Sequence, residues 1–137
     1  MTELRTVRLD EQDRLIIIDQ TKLPGELAFL ELRDKPGLID AIARLKVRGA
    51  PAIGIAAAYG VFVLARRYSG LARVEFLEAL RADIEQIRHV RPTAVNLAWA
   101  LARMEEILRQ HEHEPPRQII PRLRREAQAI FDEDAAI

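Results

Sequence analysis

The chain has 137 residues, 49% of them hydrophobic, which is the length of one domain and enough apolar material for a core. Its 21 basic and 21 acidic residues cancel. This balance excludes a bulk attraction to nucleic acid or to an anionic membrane, so any anion site must be local. The absence of cysteine excludes disulfides, thiolate metal sites and a cysteine nucleophile within the chain.

The first part of the chain predicts a small antiparallel sheet. Residues 6–9 alternate in polarity, residues 11–13 suit a turn, and residues 15–18 are apolar and mainly β-branched, which together are typical of a hairpin. Residues 27–32 can supply a third strand after the break at Pro24-Gly25. We expect the apolar run to be a buried strand and assign it no chemistry.

Two helices follow in the prediction, a short one and then a buried one. Asp34 predicts the start of the short helix, which is expected to run to Leu45. From Pro51 onward, small and apolar residues recur at helical spacing, and proline suits a first helical turn. The central helix should therefore begin at Ala50 or Pro51, with Gly49 as a compact cap.

The central helix has the features of a core element. Gly54 and Ala58 lie four residues apart and leave little bulk on one face, which favours the close approach of another element. Arg66 and Arg67 suit the helix C-terminus and are interpreted as structural. No segment has the ~18 uninterrupted apolar residues of a membrane span, and the charged N-terminus is not typical of a signal peptide.

Arg48 lies just before this helix, where a cation is mildly unfavourable unless an anion binds there. A helix N-terminus presents free N–H groups and a partial positive charge. Gly49 and Ala50 expose backbone at this point, and a guanidinium can pair with a phosphate or carboxylate through two parallel hydrogen bonds. These residues predict an anion site. The alternative, from these residues alone, is a solvated arginine in a loop before a core helix.

An amphipathic helix is predicted over residues 74–89, since its apolar residues step by three and four. His89 at its end either reaches the anion site or, more simply, places a favourable charge at a helix C-terminus. Trp99, in the following helix, is most simply a core residue. Residues 111–114 resemble a metal cluster only superficially, because the two histidines lack helical spacing, and a solvated turn is expected there.

The helix that contains Trp99 begins with a second arginine before a helix start, in Arg91-Pro92-Thr93. Thr93 is expected to cap this helix. Its apolar stripe consists of Ala94, Leu97, Leu101, Met104 and Leu108. The two helix starts are expected to converge on one anion. Two capped helices with incidental arginines are the alternative.

The last predicted helix has an apolar stripe and a basic face. The apolar residues are Ile120, Leu123, Ala127 and Ile130. The basic residues, expected to be solvated, are Arg122, Arg124 and Arg125. The sequence reaches Ile137 in helical register without a Gly or Pro terminator, which leads us to expect an interrupted protein.

Three motifs in this chain resemble the methylthioribose-1-phosphate isomerase family. The motifs are Val47-Arg48-Gly49-Ala50-Pro51-Ala52-Ile53-Gly54, Ala57-Ala58-Tyr59-Gly60 and Arg91-Pro92-Thr93-Ala94-Val95-Asn96-Leu97. Asp19-Gln20 and Leu23-Pro24 are also similar to that family, so the resemblance covers nearly the whole chain. It is shared with ribose-1,5-bisphosphate isomerase and with the regulatory subunits of translation initiation factor 2B.

The predicted elements amount to an α+β fold with a small antiparallel sheet of about three strands followed by about five helices. The resemblance implies that residues 1–137 are one N-terminal domain, with the sheet over residues 5–33 and helices over residues 34–137. In the family a Rossmann-like C-terminal domain follows and carries the catalytic cysteine and aspartate. We expect that domain to be absent from this chain, so the chain alone is expected to hold no catalytic residue and to be inactive.

The resemblance also implies the function and the partners. It implies conversion of 5-methylthioribose 1-phosphate to 5-methylthioribulose 1-phosphate in methionine salvage, with the substrate held by Arg48, Gly49, Ala50 and Arg91. It implies a cytoplasmic protein, a homodimer at full length, with neither cofactor nor metal and with no nucleic-acid or membrane partner. The alternatives are a non-catalytic regulatory subunit similar to those of initiation factor 2B, a ribose-1,5-bisphosphate isomerase, and a bare helical interaction module.

Overall fold

The computed structural model describes residues 6–44, 46–47 and 49–135. Three short strands, β1 (Val7–Leu9), β2 (Leu15–Ile18) and β3 (Phe29–Glu31), form an antiparallel sheet in the order β1-β2-β3. A 3-10 turn over Gln20–Lys22 lies between β2 and β3. Ile17 stands opposite Val7 on one side and Leu30 on the other. The predicted hairpin and third strand are confirmed, although β3 is shorter than predicted.

Five α-helices follow the sheet among the described residues. They are α1 (Lys35–Ala43), α2 (Ala50–Arg67), α3 (Arg73–Arg88), α4 (Val95–Gln110) and α5 (Pro116–Ala135). The carboxylate of Asp34 caps α1 by accepting the Gly37 amide at 2.8 Å. Helix α1 ends at Ala43, and Leu45, the predicted end, lies outside the described residues. The predicted α+β architecture is confirmed.

Helix α2 is the centre of the core, as predicted. It packs against α1, α3, α4, α5 and the first two strands, and its residues from Ile53 to Phe62 are all buried. By length and composition α2 could cross a membrane, but 67% of it is buried inside the protein. Its apolar character is therefore that of a core helix, because the surrounding elements cover it.

Small residues on α2 let its neighbours approach closely. A Cβ atom on Gly54 would lie 3.0 Å from the backbone oxygen of Asn96 in α4, so the predicted close approach is confirmed at this position. A Cβ atom on Gly60 would overlap the side chain of Leu38 in α1. Ala58 is fully buried. Because interiors are close-packed, these positions fix how near α1 and α4 lie to α2.

The prediction that Trp99 lies in the core is wrong. Its side chain is 48% exposed, and the guanidinium of Arg103 lies 4.9 Å from the centre of its ring. The buried face of α4 carries Leu97 and Leu101. Trp99 follows Leu97 by two residues, a rotation of about 200° around the helix, which directs the indole to the opposite face.

The predicted basic face of α5 is partly solvated, with the side chains of Arg122 and Arg124 38% and 43% exposed, but these two residues also form ion pairs. Arg122 donates to the Glu114 carboxylate at 2.8 Å, and Arg124 donates to Asp13 at 3.1 Å. The second contact connects α5 to the turn of the hairpin. Arg125 is exposed. The pairing is long-range, which is why spacing along α5 did not indicate it.

Structural roles are confirmed for the arginines at the end of α2. Arg66 donates to the carbonyl oxygens of Gln12 and Asp13, at 3.3 and 3.1 Å. Arg67 donates to the carbonyl oxygen of Arg33 at 3.3 Å. Both therefore hold the sheet region against the C-terminal end of α2, where a positive charge is also favourable.

A buried carboxylate connects α1, α3 and the end of α2. Asp83 of α3 is 3% exposed. It accepts a hydrogen bond from the Tyr68 hydroxyl and pairs with the Lys35 ammonium at 3.1 Å. Burial, followed by the hydrogen bond to Asp83 and the charge of that carboxylate, raises the pKa of Tyr68 to about 12.

This pKa shift predicts a stability change at high pH. The folded-state pKa of Tyr68 exceeds the unfolded value of about 10. The contribution of Tyr68 to the free energy of unfolding is therefore complete below pH ~10 and is lost as the pH rises through about 12. Tyr68→Phe should be less stable than the parent protein at neutral pH, and the difference should narrow over this window. Urea unfolding along a pH series measures it, and a constant difference would contradict the assignment.

Candidate anion-binding site

The start of α2 depends on a glycine. Gly49 is the N-cap residue with φ 92° and ψ 131°, a conformation that other residues adopt only with strain. Its carbonyl oxygen accepts the Ile53 amide at 3.0 Å, the first bond of the helix. No side chain of the described residues caps α2. The free amides of its first turn therefore remain available to a bound group.

Buried contacts hold the loop that leads into α2. Val47 is buried, and the Gln20 amide donates to the carbonyl oxygen of Lys46 at 2.9 Å. Lys46 pairs with Asp40 at 2.8 Å, and this hydrogen bond holds the pKa of Asp40 below its ordinary value. The Lys46 ammonium is therefore paired with a residue of α1. Arg48, the predicted site residue in this loop, lies outside the described residues.

Asp19, which follows β2, stabilises the turn that contacts this loop. It is buried and accepts both the hydroxyl and the amide of Thr21, at 2.6 and 2.9 Å. Burial by itself raises the pKa of Asp19, but the Thr21 bonds and the charge of Lys46 outweigh it and the pKa is lowered. The carboxylate therefore stays ionised and stabilises the turn next to Gln20.

The start of α4 differs from the prediction. Residues 91–93 form a turn in which the Ala94 amide donates to the Arg91 carbonyl at 3.0 Å. The N-cap residue is Ala94, and no side chain of the described residues caps the helix. The predicted cap by Thr93 is wrong, because the turn ends one residue later and leaves Thr93 before the cap, exposed. The first turn of α4 therefore also keeps its amides free of a side-chain cap.

Both helix starts line one cavity of about 420 Å³. Its polar and backbone lining comes from Gly49, Arg91, Thr93 and Asn96. Its apolar lining comes from Ala50, Ile53, Ala94, Val95 and Leu97. The predicted residues Gly49, Ala50 and Arg91 are thus brought together. The volume lies in the range of small-molecule sites.

The charge of the cavity favours an anion. Arg91 is half-buried, and within the described part of the chain no hydrogen bond or ion pair engages its guanidinium. None of the described lining residues is acidic. Two helix N-termini add partial positive charge at the same place. A phosphate or carboxylate in this cavity would meet donors that are otherwise left to water.

Six lining residues were not assigned to the site from the sequence. Thr93 and Asn96 add a hydroxyl and a carboxamide, and the other four add apolar surface: Ile53, Ala94, Val95 and Leu97. All but Ile53 lie inside the third motif, residues 91–97, which is the signal that could have found them. Hydrophobic periodicity could not have identified them, because it assigns apolar residues in the first turn of α4 to the buried stripe of the helix.

The histidines of the chain do not belong to this cavity. His89 is exposed, and its Nδ1 atom lies 2.8 Å from the carbonyl oxygen of Glu85, which fits the C-terminal position. His111 lies 2.6 Å from the carboxylate of Glu114, in the predicted turn between α4 and α5. The residues described by the structure contain no group of three or more His, Cys, Asp or Glu residues that could hold a metal ion.

The curated relatives of this chain include isomerases of pentose 1-phosphates. It is 47% identical over 93% of its length to a methylthioribose-1-phosphate isomerase of Heliobacterium modesticaldum. It is 41% identical over 93% of its length to a 5-deoxyribose 1-phosphate isomerase of Bacillus thuringiensis. The chain spans 37% of the length of each of these relatives.

Two solved structures share the fold. A 5-methylthioribose 1-phosphate isomerase from Pyrococcus horikoshii OT3 matches 96% of this chain with a TM-score of 0.90 and 35% identity. The delta subunit of translation initiation factor eIF-2B from A. fulgidus matches 97% of it with a TM-score of 0.88 and 36% identity. This chain covers 37% and 38% of those two chains.

The match to a protein family falls on the helical part of the molecule. Residues 46–137 match the initiation factor 2 subunit family. The matched segment includes α2, α4 and therefore both walls of the cavity. Together with the isomerase relatives, which cover almost the entire chain, this match shows that the protein belongs to the initiation factor 2 subunit family.

Proposed function

We propose that this chain is the phosphate-binding domain of an aldose–ketose isomerase that converts 5-methylthioribose 1-phosphate to 5-methylthioribulose 1-phosphate in methionine salvage. The observation that carries the proposal is the cavity in which Gly49, Ala50 and Arg91 meet at two helix starts without a side-chain cap. Arg48, next to Gly49 in the sequence, completes the proposed binding set. The dimeric assembly and the cytoplasmic location stay predictions.

The phosphate group is proposed to bind at the N-termini of α2 and α4. Backbone amides there donate hydrogen bonds, and the guanidinium of Arg91 adds a charge-assisted pair. Holding the phosphate fixes the sugar for reaction at the adjacent carbons. Such positioning can lower the barrier by several kcal/mol when the geometry is right, because the loss of translational and rotational freedom precedes the chemical step.

The apolar lining supports a substrate with an apolar substituent at C5. Ile53 and Val95 face the same cavity as Arg91, and Val95 is 77% exposed. A methylthio or methyl group covers such surface favourably, whereas a second phosphate there would lose water and would meet no cation besides Arg91 among the described lining residues. This arrangement favours 5-methylthioribose 1-phosphate over ribose 1,5-bisphosphate.

The described lining supports binding without turnover. Isomerisation needs ring opening and hydrogen transfer between neighbouring carbons, which require a poised acid and base. Arg91 is the only ionisable side chain among the described residues that line the cavity, and arginine stays protonated. We therefore propose that groups outside this chain supply the chemistry and that the chain alone has no activity.

A regulatory subunit is the second candidate. The likeness to the eIF-2B delta subunit from A. fulgidus, with a TM-score of 0.88, is nearly as high as the likeness to the isomerase from Pyrococcus horikoshii. The fold therefore supports both candidates. In a regulatory subunit the same cavity would bind a sugar phosphate as a signal. Turnover by the natural gene product that carries this chain would distinguish the two.

Calorimetric titration tests the binding part of the proposal. We expect the chain to bind 5-methylthioribose 1-phosphate, to bind ribose 1,5-bisphosphate more weakly, and to show no binding of unphosphorylated 5-methylthioribose. Binding of the phosphate ester should weaken with added salt, because the interaction is between charges. No ketose product should form with the chain alone.

Three results would contradict the proposal. Equal affinity for the phosphorylated and unphosphorylated sugars would show that the helix starts do not hold the phosphate. Failure of every sugar phosphate to bind would favour the helical interaction module. Ketose formation by the chain alone at enzymic rates would overturn the division between binding and chemistry.

A further inference from the structure

Helices α2 and α4, whose first turns line the cavity on opposite sides, come close together beside it. Gly54 lies in the second turn of α2, and Asn96 lies in the first turn of α4. A Cβ atom on Gly54 would stand 3.0 Å from the Asn96 backbone oxygen and 3.6 Å from the Ala100 Cβ atom. The first of these distances is tighter than an ordinary van der Waals contact, so a side chain here would move α4 outward.

Such a movement would change the cavity as well as the packing between α2 and α4. Asn96 and its neighbours line the cavity on one side, and Gly49, Ala50 and Ile53 line it on the other. Gly54 itself does not line it. The separation between the two helix starts is therefore set by how closely Asn96 can approach Gly54. A phosphate that accepts hydrogen bonds from both starts needs this separation.

We infer that Gly54 is a positioning residue for the anion cavity. The absence of a side chain at Gly54 holds the first turn of α4 at the distance where both helix N-termini and Arg91 can reach one phosphate. The inference rests on the proposed function, because it concerns the same cavity and the same ligand class. Gly54 acts through Asn96 and has no contact with the ligand itself.

Replacement of Gly54 by alanine should weaken ligand binding while leaving the fold intact. Alanine is the better helix former, which offsets the cost of moving α4 by a few tenths of an ångström. Misplacement by about 1 Å can cost roughly 100-fold, so we expect about threefold to tenfold weaker binding of 5-methylthioribose 1-phosphate and of inorganic phosphate. Gly54→Val should weaken binding further, because its branched side chain needs more space.

Gly60→Ala is the matched control on the same helix. Its Cβ atom would overlap Leu38 of α1, and Gly60 does not line the cavity. This variant should unfold at lower urea concentration and should keep the affinity of the parent protein. A general loosening of α2 would instead lower the affinity in both variants, which would contradict a specific role for Gly54.

Readouts that need no ligand complete the test. The amide NMR signals of Val95 and Asn96, and the emission of Trp99, the only tryptophan, should change in Gly54→Ala and stay unchanged in Gly60→Ala. If the parent protein binds phosphate but Gly54→Ala leaves these signals or the affinity unchanged, the inference about Gly54 is overturned and the proposed function is not. If the parent protein binds neither phosphate compound, the proposed function fails, and the inference fails with it.

Discussion

Arg91→Ala is expected to weaken binding of 5-methylthioribose 1-phosphate by about 10-fold to 100-fold. Hydrogen bonds to charged groups contribute about 1.5–3 kcal/mol each, which corresponds to this range. Arg91 lines the cavity, and among the described residues none forms an ion pair with it that the ligand would have to break. Calorimetric titration of the variant against the parent protein measures the change.

Two further arginine variants control this experiment. Arg117→Ala removes an exposed guanidinium from α5, outside the residues that line the cavity, and should leave the affinity unchanged. Arg91→Lys keeps the charge but loses the planar pair of donors, so it should give an intermediate loss. Equal losses in Arg91→Ala and Arg117→Ala would show that only net charge matters and would remove Arg91 from the site.

Asp83→Ala is expected to lower the free energy of unfolding by about 3 kcal/mol, since removal of one partner leaves a buried polar group without its bond. The substitution removes the acceptor of the Tyr68 hydroxyl and the counter-ion of Lys35. The Lys35 side chain is 35% exposed, so water recovers part of its solvation. Urea unfolding at neutral pH measures the loss.

A surface carboxylate provides the comparison for Asp83. Asp40 pairs with Arg44 and Lys46, but its side chain is 41% exposed, and ion pairs at the surface contribute little to stability because water screens them. Asp40→Ala should therefore cost much less than Asp83→Ala. Equal losses in the two variants would contradict a special role for burial. Replacing Asp83 and Lys35 together by apolar residues should recover part of the loss.

The binding site has a consequence for how the family divides its functions. On the proposed function, a cavity that offers backbone amides and one arginine would hold a phosphate without committing the protein to a reaction. The same domain therefore suits an isomerase, in which other groups perform the chemistry, and a regulatory subunit, in which binding is the signal. This explains in physical terms why the fold is close to relatives that carry both kinds of name.

Much of the secondary structure could be predicted from the sequence because it depends on neighbours within a few residues. Asp34 caps α1 as predicted, and α2 begins at Ala50 after a glycine with positive φ. The β-branched run forms the central strand of the sheet. Caps, turns and periodic burial act over one or two turns of chain, so their signals are local. The expectation of an anion site near Gly49, Ala50 and Arg91 also came from such signals, whereas their assignment as substrate contacts came from the family resemblance.

The arrangement of the site was decided only by the tertiary structure. The arginine before each helix start led us to expect that the two starts converge, but whether α2 and α4 share a cavity depends on how closely Asn96 approaches Gly54. The exposure of Trp99 likewise depends on which face of α4 meets α2. Sequence periodicity determines that a helix has an apolar face, whereas the packing of whole helices determines what that face and the helix ends meet.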